Sequence, residues 1–197
     1  MVFSSYEYIF FFLPITFFVY FYLNKMRLVK LGQVFLVASS LFFYAWWKIE
    51  YLPILLTSII FNFFAGKYLT ESNDWQLTKR KCLLIAGVAG NILLLGYFKY
   101  YDFFVSNINN IFNSEISGLQ LTLPLAISFF TFQQIAYLID SYRGEAKEYN
   151  FLNYAVFVSF FPQLIAGPIV HHKEMNIFEC FNIILFMRYG THFLRMV

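Results

Sequence analysis

Long apolar runs follow one another along this chain, and the polar residues between them come in short groups. Six runs approach or reach the roughly 17 to 25 residues that an α-helix needs to cross a bilayer. They cover residues 7–23, 31–47, 51–69, 82–105, 119–139 and 151–170. Because strand-like alternation is absent and backbone in lipid must pair internally, the pattern predicts an all-α, polytopic membrane bundle of about six spanning or partly broken helices.

Prolines within these runs predict breaks. Pro14, Pro124 and Pro162 each remove one hydrogen bond from a helix interior. Irregular backbone at membrane depth is tolerated only where it is buried in protein or lines a wet cavity. We therefore expect the fifth and sixth helices to be broken beside an interior path. For Pro14 an ordinary kink, accommodated by neighbouring helices, is the favoured alternative.

The composition supports a single membrane unit. Hydrophobic residues make up 60% of the 197 residues and charged residues only 13%, against about a quarter charged in soluble domains. The net charge of +3 is small and its basic residues are scattered, so nothing points to nucleic acid. Cys82 and Cys180 have no metal-ligand or disulfide-framework spacing. We predict no metal site and no bound cofactor.

The distribution of basic residues predicts the orientation. The odd-numbered connections carry Lys25, Arg27, Lys30, Lys67, Lys79, Arg80, Lys81, Arg143 and Lys147, while the even ones hold only Lys48, Lys173 and, at a helix end, Lys99. Basic loops stay in the cytoplasm, so the N-terminus is predicted to lie outside.

The polar stretch AYLIDSYRGE, at the predicted cytoplasmic end of the fifth run, allows two interpretations. In the first, Arg143 pairs with Asp140 and favours the helix dipole before Gly144 ends the helix. In the second, this helix end borders an entry for an acyl donor, and Arg143 attracts the donor's phosphate groups. The sequence alone favours the first.

Several phrases in sequence order resemble a known family. MVFSSYEYIFFFLP, LFFYAWW, LGYFKYYDFF, ISFFTFQQIAYLIDSYRG and FFPQLIAGPIVHHKEM are similar to the N-terminal half of membrane-bound O-acyltransferases, in the branch of the alginate O-acetyltransferase membrane subunit. The resemblance covers residues 1–175. It implies transfer of acetyl groups across the bacterial inner membrane to hydroxyls of an exported polysaccharide such as alginate. It also implies acetyl-CoA or another activated acetyl carrier as donor, and periplasmic polysaccharide-acetylation proteins as partners.

Five residues near the end of the sixth run are candidates for the substrate path: Gln163, Gly167, Pro168, His171 and His172. The glycine and proline would form a bend, and one histidine would bind donor or acceptor. Adjacent histidines point to different sides, which makes them a poor metal pair, and ordinary loop histidines are the favoured alternative. Gln133 and Gln134 lie within a span, where hydrogen bonding between helices explains them as well as substrate contact does.

The resemblance also has a limit. Family members are more than twice as long, and the resemblance places the catalytic histidine beyond residue 197, so no catalytic residue is assigned here. The sequence departs from the family pattern at Asn176, which predicts an N-terminal membrane part over 1–175 and a divergent tail over 176–197 from truncation or frameshift. We expect this chain alone to be inactive. Alternatives are a D-alanyl transferase acting on teichoic acid, a transporter or channel subunit, and an inactive gene remnant.

Overall fold

The structure is a computed structural model that describes residues 5–71, 77–112, 117–119, 122–145 and 150–161. Six α-helices and two shorter helical turns occur in these residues, and no strand is found in the same ranges. The helices are α1 (Leu13–Lys25), α2 (Val29–Trp47), α3 (Leu52–Glu71), α4 (Leu77–Phe112), α5 (Ile127–Arg143) and α6 (Phe151–Ser159). A π-helical turn, Tyr8–Phe12, leads into α1, and a 3-10 turn, Ile49–Tyr51, leads into α3.

Among the described residues, three helical segments are long and apolar enough to cross a membrane. They are α2, the continuous segment Ile49–Glu71, and α4, and a shorter apolar helix runs over Phe10–Lys25. The hydrophobic pattern and the helical structure therefore agree, and the predicted class of a helical membrane bundle is confirmed.

Two of the three predicted proline effects lie within the described residues. Before Pro14 the chain forms the π-helical turn, in which the Leu13 N–H donates to the Tyr8 carbonyl, and α1 continues without a break. At Pro124 the break is confirmed, because α5 begins only at Ile127 and is preceded by Ala126 in the left-handed conformation, with φ of 54°. Pro162 lies outside the described residues.

Two helices differ in length from the apolar runs that predicted them. α4 has 36 residues and extends beyond the 82–105 run in both directions, because polar and aromatic residues at its ends continue the helix outside the apolar stretch. The predicted helix over 119–139 was wrong in its first turns, since the described residues of the run before Ile127, which are 119 and 122–126, are not helical. α6 covers the first nine residues of the 151–170 run, and the run leaves the described residues after Phe161.

α5 is central to the packing. It lies against both α3 and α4, while α6 packs mainly on α2 and α1 on α2. The largest apolar cluster joins α2, α3, α5 and α6 through aromatic rings, and its buried members include Tyr44, Leu55, Phe63, Phe130, Tyr137 and Tyr154. Rings of Tyr137 and Tyr154 approach to 4.3 Å between centroids. The core is therefore formed around the helix that contains the predicted donor-side residues.

Side-chain contacts identify the two ends of the bundle. At one end, Lys48 Nζ donates to Thr122 Oγ1 and the Tyr51 hydroxyl donates to the Thr122 carbonyl. There Asp102 Oδ1 accepts from the Leu119 N–H at 2.9 Å. We call this the Lys48 end, comprising 48–51, 99–112, 117–119 and 122–126. The opposite basic end comprises 25–30, 67–71, 77–82 and 140–145.

Candidate functional site

Two glycines allow α5 to approach its neighbours closely. A Cβ atom on Gly66 of α3 would lie 2.2 Å from Cε1 of Tyr137, and one on Gly87 of α4 would lie 2.9 Å from Cδ1 of Leu138. Both distances are shorter than carbon atoms tolerate. Small residues at helix crossings are typical of membrane bundles, where close backbone approach replaces the hydrophobic effect as a source of stability. These glycines therefore fix the position of α5.

A buried hydrogen-bond network lies between α3, α4 and α5. Asn62 and Asn91 form a reciprocal amide pair, with Nδ2 to Oδ1 distances of 3.1 Å and 2.6 Å. Gln134 Oε1 accepts from Ser58 Oγ at 2.6 Å and from Asn62 Nδ2 at 2.9 Å. Every one of these four residues is buried. The alternative in which the polar span residues hold helices together is thus realised for Gln134, Asn62 and Asn91.

Within the described residues, several other buried side-chain atoms have no hydrogen-bond partner. On α5 they are Thr131 Oγ1, Gln133 Oε1, Gln134 Nε2 and Ser141 Oγ, and on other helices they include the hydroxyls of Tyr44 and Tyr154. A buried polar atom without a partner costs about 1 to 3 kcal/mol, so such atoms are rare in a finished interior. The interior around α5 therefore offers donors and acceptors that a hydroxyl-bearing molecule or water could use.

The C-terminus of α5 has the predicted stop signal. Gly144 is left-handed with φ of 73°, its N–H donates to the Ser141 carbonyl, and the Glu145 N–H donates to the Asp140 carbonyl at 2.8 Å. This pair of bonds is the Schellman arrangement, in which glycine is favoured because it has no Cβ. The predicted helix end at Gly144 is confirmed.

No ion pair between Asp140 and Arg143 is found among the residues that the structure describes. Asp140 is buried, with 7% of its surface exposed, whereas Arg143 is exposed. Within the described part of the chain the ion pairs are Lys48 with Glu50 and Lys67 with Glu71. A spacing of three residues puts both side chains near one helix face, yet the Asp140 side chain is buried and the Arg143 side chain is exposed.

Arg80 is an important residue that the sequence interpretation missed. Its guanidinium donates through Nη2 to the Leu69 carbonyl at 3.2 Å and to the Tyr142 carbonyl at 2.9 Å. The same group lies 5.2 Å from the centre of the Tyr142 ring. A cation at helix C-termini is favoured by the helix dipole. The sequence signal was the run Lys79 to Lys81, which served only to predict orientation.

The remaining site predictions are not tested by these contacts. Gln163, Gly167, Pro168, His171 and His172 all lie outside the described residues. No group of three metal-ligating side chains occurs among the residues that are described. Arg143 stays a candidate for the donor side, exposed at the basic end of the bundle.

Comparison with known proteins identifies several relatives of this chain. It is 45% identical over 203 aligned positions to the peptidoglycan O-acetyltransferase of Helicobacter pylori, covering 89% of this chain and 38% of that protein. It is 37% identical over 182 positions to the probable alginate O-acetylase AlgI of Pseudomonas aeruginosa, covering 89% and 34%. The Azotobacter vinelandii protein of the same name is 36% identical, with coverage of 89% and 35%.

The other two comparisons gave no match. No protein-family model matches the sequence, and no solved structure matches it. The chain spans a little over a third of the length of the relatives given above. Identity at this level over nine-tenths of the chain confirms the resemblance drawn from its motifs: the chain is a homologue of proteins named peptidoglycan O-acetyltransferase and alginate O-acetylase.

Proposed function

We propose that this chain forms the N-terminal membrane part of an O-acetyltransferase that passes acetyl groups to hydroxyls of an exported polysaccharide. The observation that carries the proposal is the 45% identity to a peptidoglycan O-acetyltransferase together with the 36 to 37% identity to alginate O-acetylases. All three names describe O-acetyl transfer to a polysaccharide. This favours acetyl over the D-alanyl group, and an enzyme over a transporter or channel subunit.

The described interior is compatible with passage of such a group. Unpartnered hydrogen-bonding atoms on α5, α2 and α6 face into a helical bundle whose outer surface is apolar. Hydroxyl and carbonyl groups of a substrate would satisfy atoms that otherwise remain unpaired. The proposed donor is acetyl-CoA or another activated acetyl carrier, and Arg143 at the basic end would attract its phosphates.

The proposed location is the bacterial inner membrane, with the N-terminus and the Lys48 end outside. The basic end carries Lys25, Arg27, Lys30, Lys67, Lys79, Arg80, Lys81 and Arg143 against Glu71, Asp140 and Glu145. The Lys48 end and the N-terminus carry Lys48 and Lys99 against Glu7, Glu50 and Asp102. Lys and Arg near span ends are retained in the cytoplasm, so the donor side coincides with the basic end. Periplasmic acetylation proteins would meet the other end.

A chimaeric protein tests the proposal. Residues 1–175 replace the aligned segment of the Helicobacter pylori relative in a strain that lacks that gene, and ester-linked acetate is measured in purified peptidoglycan. We expect acetylation above that of the deletion strain. The matched control is the relative with its own segment deleted. A chimaera that reaches the membrane in normal amount but adds no acetate would contradict the proposal.

The 197-residue chain, expressed alone in the same deletion strain, provides a second test. The resemblance places the catalytic histidine beyond Val197, and we predict that this chain adds no acetate. Detection of ester-linked acetate in peptidoglycan purified from these cells would refute the prediction that the chain alone is inactive. It would leave the interpretation of the chimaera unchanged.

A further inference from the structure

An apolar groove runs along the outward face of α1. Four side chains share one face of this helix because they are spaced three or four residues apart: Phe18, Phe21, Tyr22 and Lys25. With Val19 they line an open groove of about 470 Å³. Phe18 and Tyr22 expose 70% and 62% of their surfaces. The groove is formed by apolar side chains until it reaches Lys25, the last residue of α1.

The turn that follows the groove is basic and forms no ion pair with an acidic side chain of the described residues. Lys25, Arg27 and Lys30 are exposed, and no Asp or Glu occurs between Glu7 and Glu50. Within the described ranges none of the three basic side chains forms an ion pair. An uncompensated positive charge therefore lies at the end of an apolar groove. This arrangement is complementary to an anionic lipid, which has a negative headgroup and apolar acyl chains.

Arg27 occupies a backbone position that favours glycine. Its φ is 61°, its N–H donates to the Asn24 carbonyl at 2.9 Å, and the Leu28 N–H donates to the Leu23 carbonyl at 3.0 Å. These bonds form a second Schellman arrangement, and Arg27 is its left-handed residue. An L side chain is strained there. The chain carries a cationic side chain where glycine would be less strained, so the guanidinium has a use outside the turn.

We propose that this face binds an anionic membrane phospholipid, with an acyl chain along Phe18, Phe21 and Tyr22 and the headgroup phosphate at Lys25 and Arg27. Basic residues beside a span attract anionic lipids, and the apolar groove supplies the contact that a free phosphate could not use. Lys30 adds to the positive potential. The site requires only that the chain is embedded in a membrane, so it does not depend on acetyl transfer.

Lipid titration followed by native mass spectrometry tests the site on the full chain in detergent. Phosphatidylglycerol is compared with phosphatidylcholine of identical acyl chains, and inorganic phosphate serves as the competitor. We expect tighter binding of phosphatidylglycerol, weakened about fivefold each by Lys25→Gln and by Arg27→Gly. Phe18→Ala should weaken binding of phosphatidylglycerol as well. Lys99→Gln, which removes one charge at the opposite end, is the matched control and should change nothing.

Arg27→Gly separates a ligand role from a structural one. Because glycine suits the left-handed backbone, we expect the melting temperature to stay the same or rise while lipid affinity falls. Equal binding of the two lipids by the unaltered chain would overturn the proposal. It would also be overturned if both basic substitutions left phosphatidylglycerol binding intact, or if inorganic phosphate displaced the lipid and Phe18→Ala had no effect, which would indicate an ion site.

Discussion

Asn62 illustrates how single residues organise the interior of this bundle. Its side-chain amide contacts Asn91 and Gln134, so one residue of α3 is bonded to both α4 and α5. Gln134 Oε1 also accepts a hydrogen bond from the Ser58 hydroxyl. Each of the three side-chain oxygens accepts a hydrogen bond from a neighbouring helix. The amide groups of Asn62 and Asn91 also donate to the carbonyls of Ser58 and Gly87 in their own helices. Removing one member therefore affects all three helices.

Asn62→Leu is expected to lower the free energy of unfolding by about 1 to 2 kcal/mol, because it leaves Asn91 and Gln134 with fewer partners. The measurement is unfolding in detergent, followed by circular dichroism. The control is Asn107→Leu, since the Asn107 side chain is exposed and its amide donates to the Phe103 carbonyl of its own helix. Equal effects of the two substitutions would show that the network adds no stability.

At the scale of elements, the close crossing of α5 with α3 depends on the absence of a side chain at Gly66. Gly66→Ala is expected to lower the free energy of unfolding by about 1 to 3 kcal/mol, since the new methyl group would overlap the Tyr137 ring. Gly96→Ala is the matched control, because no atom lies within 4 Å of its added Cβ. There alanine's higher helix propensity should raise stability by up to about 1 kcal/mol. The two substitutions should change the free energy of unfolding in opposite directions, and both changes are measured by unfolding in detergent followed by circular dichroism.

Arg80 joins the ends of three helices. From the first turn of α4 it binds carbonyls in the last turns of α3 and α5. Arg80→Lys keeps the charge but loses the planar group that reaches both carbonyls and stacks on Tyr142. We expect a loss of about 2 kcal/mol in the free energy of unfolding. Lys81→Gln, at an exposed neighbouring position, should have little effect, and a comparable loss there would argue against the specific role of Arg80.

The accuracy of the sequence predictions differs among the elements for physical reasons. α2 and α3 match their apolar runs closely because charged residues bound these runs on both sides. The break before α5 was indicated by Pro124, whereas nothing in the apolar pattern marks the extension of α4 through Asn107 and Asn110. The contacts of Asn62 with residues 29 and 72 positions away depend on how helices pack, which residue spacing does not specify. Similarly, the spacing of Asp140 and Arg143 does not specify that the first is buried and the second exposed.

At the scale of the whole molecule, the two ends of the bundle differ in charge, and this predicts how it lies in the membrane. In a chain with Cys82 and Cys180 replaced by serine, Ser106→Cys is placed near the Lys48 end and Thr78→Cys at the basic end; both positions are exposed. We expect a membrane-impermeant maleimide to label Ser106→Cys in intact spheroplasts and Thr78→Cys only after permeabilisation. The reverse labelling would invert the proposed orientation.

The π-helical turn before α1 has a consequence for changes in chain length. The Leu13 N–H reaches back to Tyr8 across one residue more than an α-helix uses. Deleting one residue from positions 9–11 would turn that bond into an ordinary α-helical one and leave Tyr8 over the same neighbours. A single deletion in the middle of α3 would instead rotate Gly66 about 100° away from α5. We expect the first deletion to keep the melting temperature within a few degrees and the second to abolish cooperative unfolding. The start of the bundle should therefore tolerate the loss of one residue, whereas its centre should not.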